Sequence, residues 1–581
     1  MSARRSRAHP TARRRRADAP FDASDGQLRV GEVLARLLPR GSLGTRPAGQ
    51  RAWHDDLTPW QVCPPWPPDL FAVAATLVQK SGAYAYRVHD VGRGGAFDAD
   101  YVEFVTGLGQ AWRESLTVPS AVQELWSTVC AQMRVPLDRA TPEWRFACLK
   151  LLASADEASV GIGYVDGATQ FAALVASAYA VWANRRRLQE PLMHLPHSLA
   201  WRVPPSECCV LPKARTPQVG ITLAALSHHL TLLPSATEVH PRWLPNPVKR
   251  PSPRGGHRPF NLLLVPYPYR IHGSAFVAGP AGPGGRERAF GVRQEWLERC
   301  RPGQFARFVC RLVQAAREEV GGVHGVALPE LALDETFFGV LRKALGREGV
   351  QLLVSGVHAR RRGAAVNQVR TAVYDEGRLL NEEAQDKHHR WKLDAGQIRR
   401  YHLGHALDPS LVWTEQTDIA RRECMFLQIS AGAVLATLVC EDLVRIEPVQ
   451  TVLRSVGPNL LIAVLMDGPQ YAWRWPGRSA TVLADDPGSA VLTLTSLGMV
   501  RRSVMPGEAE PREIALWKEP AGDARELKLA RDDHGLLLSL ALSQDHGYSL
   551  DERSDRGTSL RVALSGVHGV KDPRAEAWLD A

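Results

Sequence analysis

The chain has 581 residues and a formal net charge of +10, and its 45% hydrophobic and 23% charged residues are typical of a globular protein with more than one domain. The longest apolar stretch, residues 171–183, is interrupted by Ser177 and Tyr179 and is shorter than a bilayer-spanning helix, so it predicts a buried helix and no membrane contact. Nine scattered cysteines exclude a disulfide framework, and no apolar signal segment follows the basic N-terminus, so we expect a cytoplasmic location.

Residues 1–55 form a basic tail rich in Arg, Pro, Gly and Ala, and their weak hydrophobic periodicity predicts that they are mostly disordered. Seven arginines lie within the first 20 residues. Such a tail can bind nucleic acid through the phosphate backbone. The alternative is a solvated tail without a partner.

Residues 56–205 are predicted to be a helical accessory domain. Apolar residues recur at three- and four-residue spacing in the segments 67–82, 120–133 and 141–155. Five tryptophans accompany basic residues here: Trp53, Trp60, Trp66, Trp112 and Trp126. We interpret them as core residues, the alternative being a surface that binds nucleic acid or a protein partner.

Residues 206–257 are predicted to be an extended segment followed by a Pro- and Arg-rich linker. From 258 to 545 the pattern changes to alternating strands and helices, which predicts an α/β domain with buried sheets. Its apolar strands are predicted at 260–266, 323–328, 350–356, 369–374, 433–439, 460–466 and 490–497. The last segment, 546–581, is predicted to be a C-terminal tail.

Three side chains in this domain fit a thiol-dependent reaction. The strand at 433–439 runs directly into Cys440, and a sharp turn there would expose the thiol and direct the backbone N–H of Glu441 towards the same point. A thiol needs a base to form thiolate and a positive donor for the oxyanion that follows attack. Glu330, at the end of the apolar segment GVALPE, supplies a carboxylate base, and Lys387 supplies the cation.

The order of these motifs resembles the nitrilase, or carbon-nitrogen hydrolase, superfamily. The chain has Pro-Glu-Leu at 329–331, then Asn367 and a Gly turn leading to Lys387, then Val-Cys-Glu-Asp at 439–442. The last motif is most similar to the glutaminase domains of glutamine-dependent NAD synthetases, although no ATP-pyrophosphatase region follows it. The resemblance covers about residues 258–545 and implies a four-layer αββα sandwich, preceded here by the mainly α-helical N-terminal domain.

The resemblance implies a hydrolase that cleaves a non-peptide carbon-nitrogen bond through a thioester on Cys440. Glu330 would act as general base and acid, Lys387 would stabilise the oxyanion together with the N–H of Glu441, and Glu415 is the best-spaced candidate for a second glutamate that orients the lysine. Lys392 is the alternative to Lys387. An amide substrate is favoured over a nitrile, because Glu-Asp follows the cysteine where true nitrilases have Trp-Glu.

No cofactor and no metal are expected. His388, His389, His402 and His405 are interpreted as surface residues, because no recognisable set of metal ligands accompanies them. The competing hypothesis is a multidomain bacterial defence or regulatory protein, in which the hydrolase fold senses a ligand and the N-terminal domain binds nucleic acid or a partner. The sequence leaves the substrate and the formation of a homo-oligomer open.

Overall fold

The computed structural model describes residues 27–43, 58–85, 97–164, 197–245 and 258–579, apart from short gaps at 238, 282–286, 420–421, 431, 505–506, 508, 573 and 575. The predicted helix at 171–183, Trp53 and most of the basic tail lie outside these residues. None of the described helices is long and apolar enough to cross a bilayer.

Helices make up the first part of the described chain. They are α1 (Val30–Leu37), α2 (Pro67–Ser81), α3 (Ala99–Ser115), α4 (Ser120–Cys130) and α5 (Pro142–Glu157). Thr141 caps α5 by accepting a hydrogen bond from the backbone N–H of Trp144, and Pro142 occupies the first turn, where no N–H is needed. Four of the five predicted tryptophans are described, and all four are buried in one core: Trp60, Trp66, Trp112 and Trp126.

Helix α1 lies inside the segment that the sequence analysis assigned to a disordered tail. Its apolar residues Val30, Val33, Leu34 and Leu37 follow helical spacing and are all buried. The helix is only eight residues long, which is too short for its periodicity to stand out in a segment rich in Arg and Pro. The structured part therefore begins before residue 55.

The segment predicted to be extended contains three short strands. β1 (Cys209–Pro212) and β2 (Leu230–Leu233) pair in antiparallel fashion, and β3 (His240–Leu244) pairs in parallel with a strand of the second domain. Trp243 in β3 is buried and donates a hydrogen bond to the Gly163 carbonyl at 2.7 Å. Residues 206–244 thus connect the helices to the sheets by packing, and most of the predicted Pro- and Arg-rich linker, residues 246–257, lies outside the described residues.

Two seven-stranded sheets form the second part of the described chain. The first has the order β10-β9-β8-β7-β4-β19-β20, and the second has the order β18-β17-β16-β15-β14-β13-β3. The strands of the first sheet are β4 (Arg258–Leu264), β7 (Gly325–Asp334), β8 (Leu352–Arg361), β9 (Ala364–Asp375), β10 (Arg378–Asp386), β19 (Gly535–Gln544) and β20 (Leu560–Val570). The remaining strands of the second sheet are β13 (Glu423–Ser430), β14 (Ala433–Val439), β15 (Leu460–Leu465), β16 (Ala490–Thr495), β17 (Glu513–Lys518) and β18 (Arg525–Lys528).

The two sheets pack face to face, and helices cover their outer faces. Helices α6 (Pro302–Val320) and α7 (Glu335–Arg347) cover the first sheet, α9 (Thr451–Val456) follows β14, and α10 (Trp475–Asp485) covers the second sheet. This gives the mixed α/β layers of an αββα sandwich. A smaller sheet has the order β11-β12-β6-β5, and two short helices complete the described elements. The strands of this smaller sheet are β5 (Phe276–Ala281), β6 (Glu287–Val292), β11 (Lys392–Leu393) and β12 (Val412–Glu415). The two short helices are α8 (Ala395–Arg400) and α11 (Leu497–Arg502).

The segment assigned to a C-terminal tail completes the first sheet and joins the two parts of the molecule. Strand β20 pairs with β19 along its length. Before it, the buried Arg553 guanidinium contacts Asp156 at 3.1 Å and Glu157 at 2.9 Å, both in the last turn of α5, and Asp551 at 3.0 Å. The helical part and the sheets are therefore held together by a buried cluster of charges.

Candidate active site

Cys440 lies in a strained turn at the carboxyl end of β14. Its φ is +47°, a left-handed value that costs a residue with a side chain about 1–3 kcal/mol. The chain turns into a short 3₁₀ helix at Cys440–Leu443, and the cysteine is only 3% exposed. The strand-to-turn junction that the sequence predicted is present, and it places Cys440 at the edge of the sheet where β14 ends.

Glu330 lies where β7 departs from regular pairing with β8. The register shifts between Leu328 and Leu333, and Leu331 has a φ of +54°. Gly356 in β8 allows this irregular segment to pass closely, because a Cβ on it would lie 2.4 Å from the Glu330 Cα. The Glu330 carboxylate is thereby brought to the same buried edge as Cys440.

A buried hydrogen-bond network holds Lys387 between two glutamates. Its Nζ donates to Glu330 Oε1 at 2.8 Å and to Glu415 Oε2 at 2.6 Å. The Asn367 amide joins the same two carboxylates, donating to Glu330 Oε1 at 2.7 Å and to Glu415 Oε1 at 2.8 Å. The backbone N–H of Trp391 donates to Glu415 Oε2 at 2.9 Å. The cluster fixes the lysine in one position.

The two glutamates differ in how completely their oxygens are used. Both oxygens of Glu415 accept hydrogen bonds. Glu330 Oε2, in contrast, is buried and has no hydrogen-bond partner among the described residues. Buried polar atoms are nearly always paired, so an unpaired carboxylate oxygen points to a ligand or a reacting group.

Burial and neighbouring charges set the protonation of the cluster. Burial lowers the pKa of Lys387, but the charges of Glu330 and Glu415 outweigh it and hold that pKa well above its usual value. Burial raises the pKa of Glu330, against the opposing charge of Lys387. Burial also raises the pKa of the Cys440 thiol well above its usual value; Glu330 adds to this rise and Lys387 opposes it. These directions favour the protonated form of the resting thiol, and the charges of both Glu330 and Lys387 act on it.

Asp442 fastens the loop after Lys387 to the cysteine turn. Its carboxylate accepts hydrogen bonds from the backbone N–H groups of His388 and His389 at 3.0 Å, and it contacts His389 Nδ1 at 2.9 Å. Asp442 was not among the predicted site residues, although its place two residues after the cysteine was a signal. The interpretation of His388 as a surface residue was wrong, because this side chain is 1% exposed beneath the loop.

The structure brings most of the predicted residues together. Glu330, Lys387 and Glu415 share one network, and Cys440 lies beside it. Lys392, the alternative lysine, is exposed in β11. The Glu441 carboxylate accepts a hydrogen bond from Arg445 at 2.9 Å, and the role of its backbone N–H in the oxyanion hole stays a prediction.

A second group at the same edge was missed. Asp467 follows β15, and its Oδ1 accepts hydrogen bonds from the Tyr401 hydroxyl and from Arg474 Nη2, the latter at 2.9 Å. An Asp-Gly pair directly after an apolar strand parallel to β14 was the available signal. Among the described residues, no group of three or more His, Cys, Asp or Glu side chains is arranged to hold a metal ion.

Neither a protein-family model nor a curated protein sequence matches the chain. Solved structures that are similar to about half of it are nitrilase-superfamily proteins. A CN-hydrolase superfamily protein from Xanthomonas campestris with an arsenic adduct in its active site is 15% identical, with a TM-score of 0.30, over 49% of this chain and 91% of the other. A branch 10 member of the nitrilase superfamily from Saccharomyces cerevisiae is 12% identical, with a TM-score of 0.28, over 46% and 84%.

A glutamine-dependent NAD(+) synthetase from Cytophaga hutchinsonii is 9% identical, with a TM-score of 0.26, over 49% of this chain and 43% of the synthetase. The likenesses thus cover about half of the chain and leave its N-terminal half without a counterpart.

Proposed function

We propose that the chain is a hydrolase that cleaves a non-peptide carbon-nitrogen bond, with an amide as the preferred substrate. The observation that carries this proposal is the contrast between the two glutamates that hold Lys387. Glu415 has both oxygens occupied, whereas Glu330 keeps one buried oxygen free beside Cys440. A fully bonded carboxylate positions its neighbours, and a carboxylate with a free oxygen can accept a proton.

In the first half-reaction, Glu330 takes the proton of the Cys440 thiol and the sulfur attacks the amide carbon. A carbon-sulfur bond forms, and the carbonyl electron pair moves onto oxygen. The Lys387 ammonium has three N–H donors, of which Glu330 and Glu415 occupy two, so one remains for this oxyanion. The raised pKa of Lys387 keeps it charged for that role.

The intermediate then collapses to a thioester. The carbon-nitrogen bond breaks, and the leaving nitrogen takes the proton that Glu330 holds, so ammonia or an amine departs. A water molecule next gives a proton to Glu330 while its oxygen attacks the thioester. The carbon-sulfur bond breaks, the proton returns to sulfur, and the acid leaves, so that one carboxylate serves both half-reactions.

The raised pKa of Glu330 suits it to this double role. A base is most effective when its pKa lies near the working pH, and burial moves Glu330 in that direction from its ordinary value. Asn367 and Glu415 do not exchange protons in this scheme. They hold the carboxylate and the ammonium in place, which lowers the reorganisation that the reaction requires.

The test is ammonia release from a panel of primary amides by the full-length protein, together with intact-mass detection of an acyl adduct on Cys440. We expect turnover that Cys440→Ala abolishes. Cys310→Ala, which alters a half-buried cysteine on α6, is the matched control and should retain the activity. Ligand binding without ammonia release and without an adduct would reject the hydrolase and favour the ligand-sensing alternative.

A further inference from the structure

The carboxylate of Asp467 lies at the edge of the second sheet from which Cys440 emerges. Strands β14 and β15 are parallel, and Val439 pairs with Val464. Cys440 and Asp467 therefore follow neighbouring strands on the same side of the sheet. The backbone N–H of Asp467 donates a hydrogen bond to Thr495 Oγ1 at the end of β16. This bond ties Asp467 to the neighbouring parallel strand and fixes its position.

One oxygen of this carboxylate is occupied and the other is not. Oδ1 accepts from the Tyr401 hydroxyl and from Arg474 Nη2. Oδ2 is buried and has no hydrogen-bond partner among the described residues, in a side chain that is 6% exposed. Leaving a buried acceptor unpaired costs about 1–3 kcal/mol, and more when it is charged. Two donors thus hold the carboxylate so that its free oxygen faces away from them.

We propose that Asp467 Oδ2 binds an N–H group on the acyl part of the substrate, so that the enzyme prefers amides whose acyl chain carries an ammonium or a carboxamide nitrogen. This inference rests on the hydrolase function proposed above. Glu330 Oε2 carries the proton that the leaving nitrogen takes, whereas Asp467 Oδ2 accepts a hydrogen bond from a nitrogen that stays on the acyl group. Glu330 Oε2 and Asp467 Oδ2, the two unpaired carboxylate oxygens of the site, then have separate partners.

The charges of the site favour this class of substrate over others. An anionic acyl group would face the free oxygens of both Glu330 and Asp467, and like charges at close range repel. An apolar group would leave Oδ2 without a partner after water is excluded. The charge of Asp467 also raises the pKa of the Cys440 thiol, which agrees with a carboxylate close to the reacting sulfur.

The experiment compares four primary amides of equal chain length that end in an ammonium, a carboxamide, a methyl or a carboxylate group. Ammonia release by the full-length protein gives kcat/KM for each. We expect the ammonium or the carboxamide to exceed the methyl compound by about tenfold or more, since one hydrogen bond of about 1.4 kcal/mol corresponds to a factor of ten. The carboxylate should be the poorest. The order of the first two shows whether the bound nitrogen is charged.

Asp467→Asn sharpens the test, because Tyr401 and Arg474 both donate hydrogen bonds. They will hold the amide oxygen of the asparagine and turn its NH₂ group towards the substrate, which replaces an acceptor with a donor. The preference should then shift from the N–H-bearing amides towards the carboxylate compound. Asp485→Asn, the same change at an exposed position at the end of α10, should leave the order of the four amides as it is.

Each result bears on one claim or the other. Equal rates for the four amides, or an equal loss on all of them in Asp467→Asn, would overturn the assignment of Asp467 while leaving the hydrolase in place. Failure to release ammonia from any amide, with no adduct on Cys440, would overturn the hydrolase and this inference with it. If Asp467→Asn does not fold, as judged by circular dichroism, the order of the four amides with the unaltered protein decides.

Discussion

Two buried clusters of charge lie in different parts of this molecule, and they differ in one respect. The cluster around Arg553 joins α5 to the C-terminal segment, and both oxygens of Asp156 and of Asp551 accept hydrogen bonds. The cluster around Lys387 lies at the edge of the sheets, and Glu330 there keeps one unpaired oxygen. Both clusters bury a cation among carboxylates, but of the described carboxylate oxygens in the two clusters only Glu330 Oε2 is fully buried without a hydrogen-bond partner.

Under the proposed function, the Arg553 cluster is structural and the Lys387 cluster takes part in the reaction. A fully satisfied cluster gains nothing from a further ligand, and its removal costs stability. An incompletely satisfied cluster is held in place by its surroundings and gains hydrogen bonds only when a substrate arrives, as expected of residues placed for chemistry. Changes at Arg553 should therefore act on stability, and changes at Glu330 should act on turnover.

The largest expected effect is on catalysis at Glu330. Glu330→Gln keeps the size of the side chain and removes the base, so ammonia release should fall about 10²–10⁴-fold. Because Glu415 still pairs with the Lys387 ammonium, and a charge that is costly to bury disappears, the thermal unfolding midpoint should change little. Glu335→Gln, on the exposed first turn of α7, is the control. A large loss of stability with normal turnover in Glu330→Gln would place this residue among the structural charges.

The second effect is on stability at Arg553. Arg553→Met leaves Asp156, Glu157 and Asp551 buried without their cation, and such a change typically destabilises by about 3–5 kcal/mol. Denaturant unfolding measures it. Arg556→Met removes a guanidinium that is 59% exposed and 3.8 Å from Glu157, so it should cost no more than about 1 kcal/mol. Equal effects of the two variants would show that the buried cluster does not hold the two parts together.

The difference between the two clusters also explains which residues could be predicted from the sequence. Glu330, Lys387 and Cys440 were identified because each follows a recognisable strand or turn in a known order. The pairing of strand β3 was missed because its partner, β13, lies far away in the sequence, and no periodicity reports on distant pairing. Strand β20, in contrast, pairs with the preceding strand, β19. Strand β20 does alternate between buried and less buried residues along most of its length, so its pattern was present in the segment assigned to a tail.

The arginine cluster had no signal in the sequence at all. Arg553 lies in the segment DERSDR, whose mixed charges are typical of a solvated loop. Its partners Asp156 and Glu157 lie about 400 residues away, at the end of a helix. Only the fold brings these groups together, whereas the residues proposed to be catalytic carry chemistry that is visible in their local segments.

The smallest of the expected effects is the pH dependence of stability that His228 gives to the arginine cluster. Burial, followed by the charge of Arg553, lowers the pKa of His228 from 6.5 to about 4. Below pH 6.5 the unfolded chain therefore binds a proton that the folded chain does not take up until about pH 4, so stability falls as the pH falls through this range, by up to about 3 kcal/mol. His228→Gln should flatten that part of the profile of unfolding free energy against pH. His568→Gln, a change at an exposed histidine on β20, should leave the profile steep. An unchanged slope in His228→Gln would mean that His228 is protonated in the folded protein.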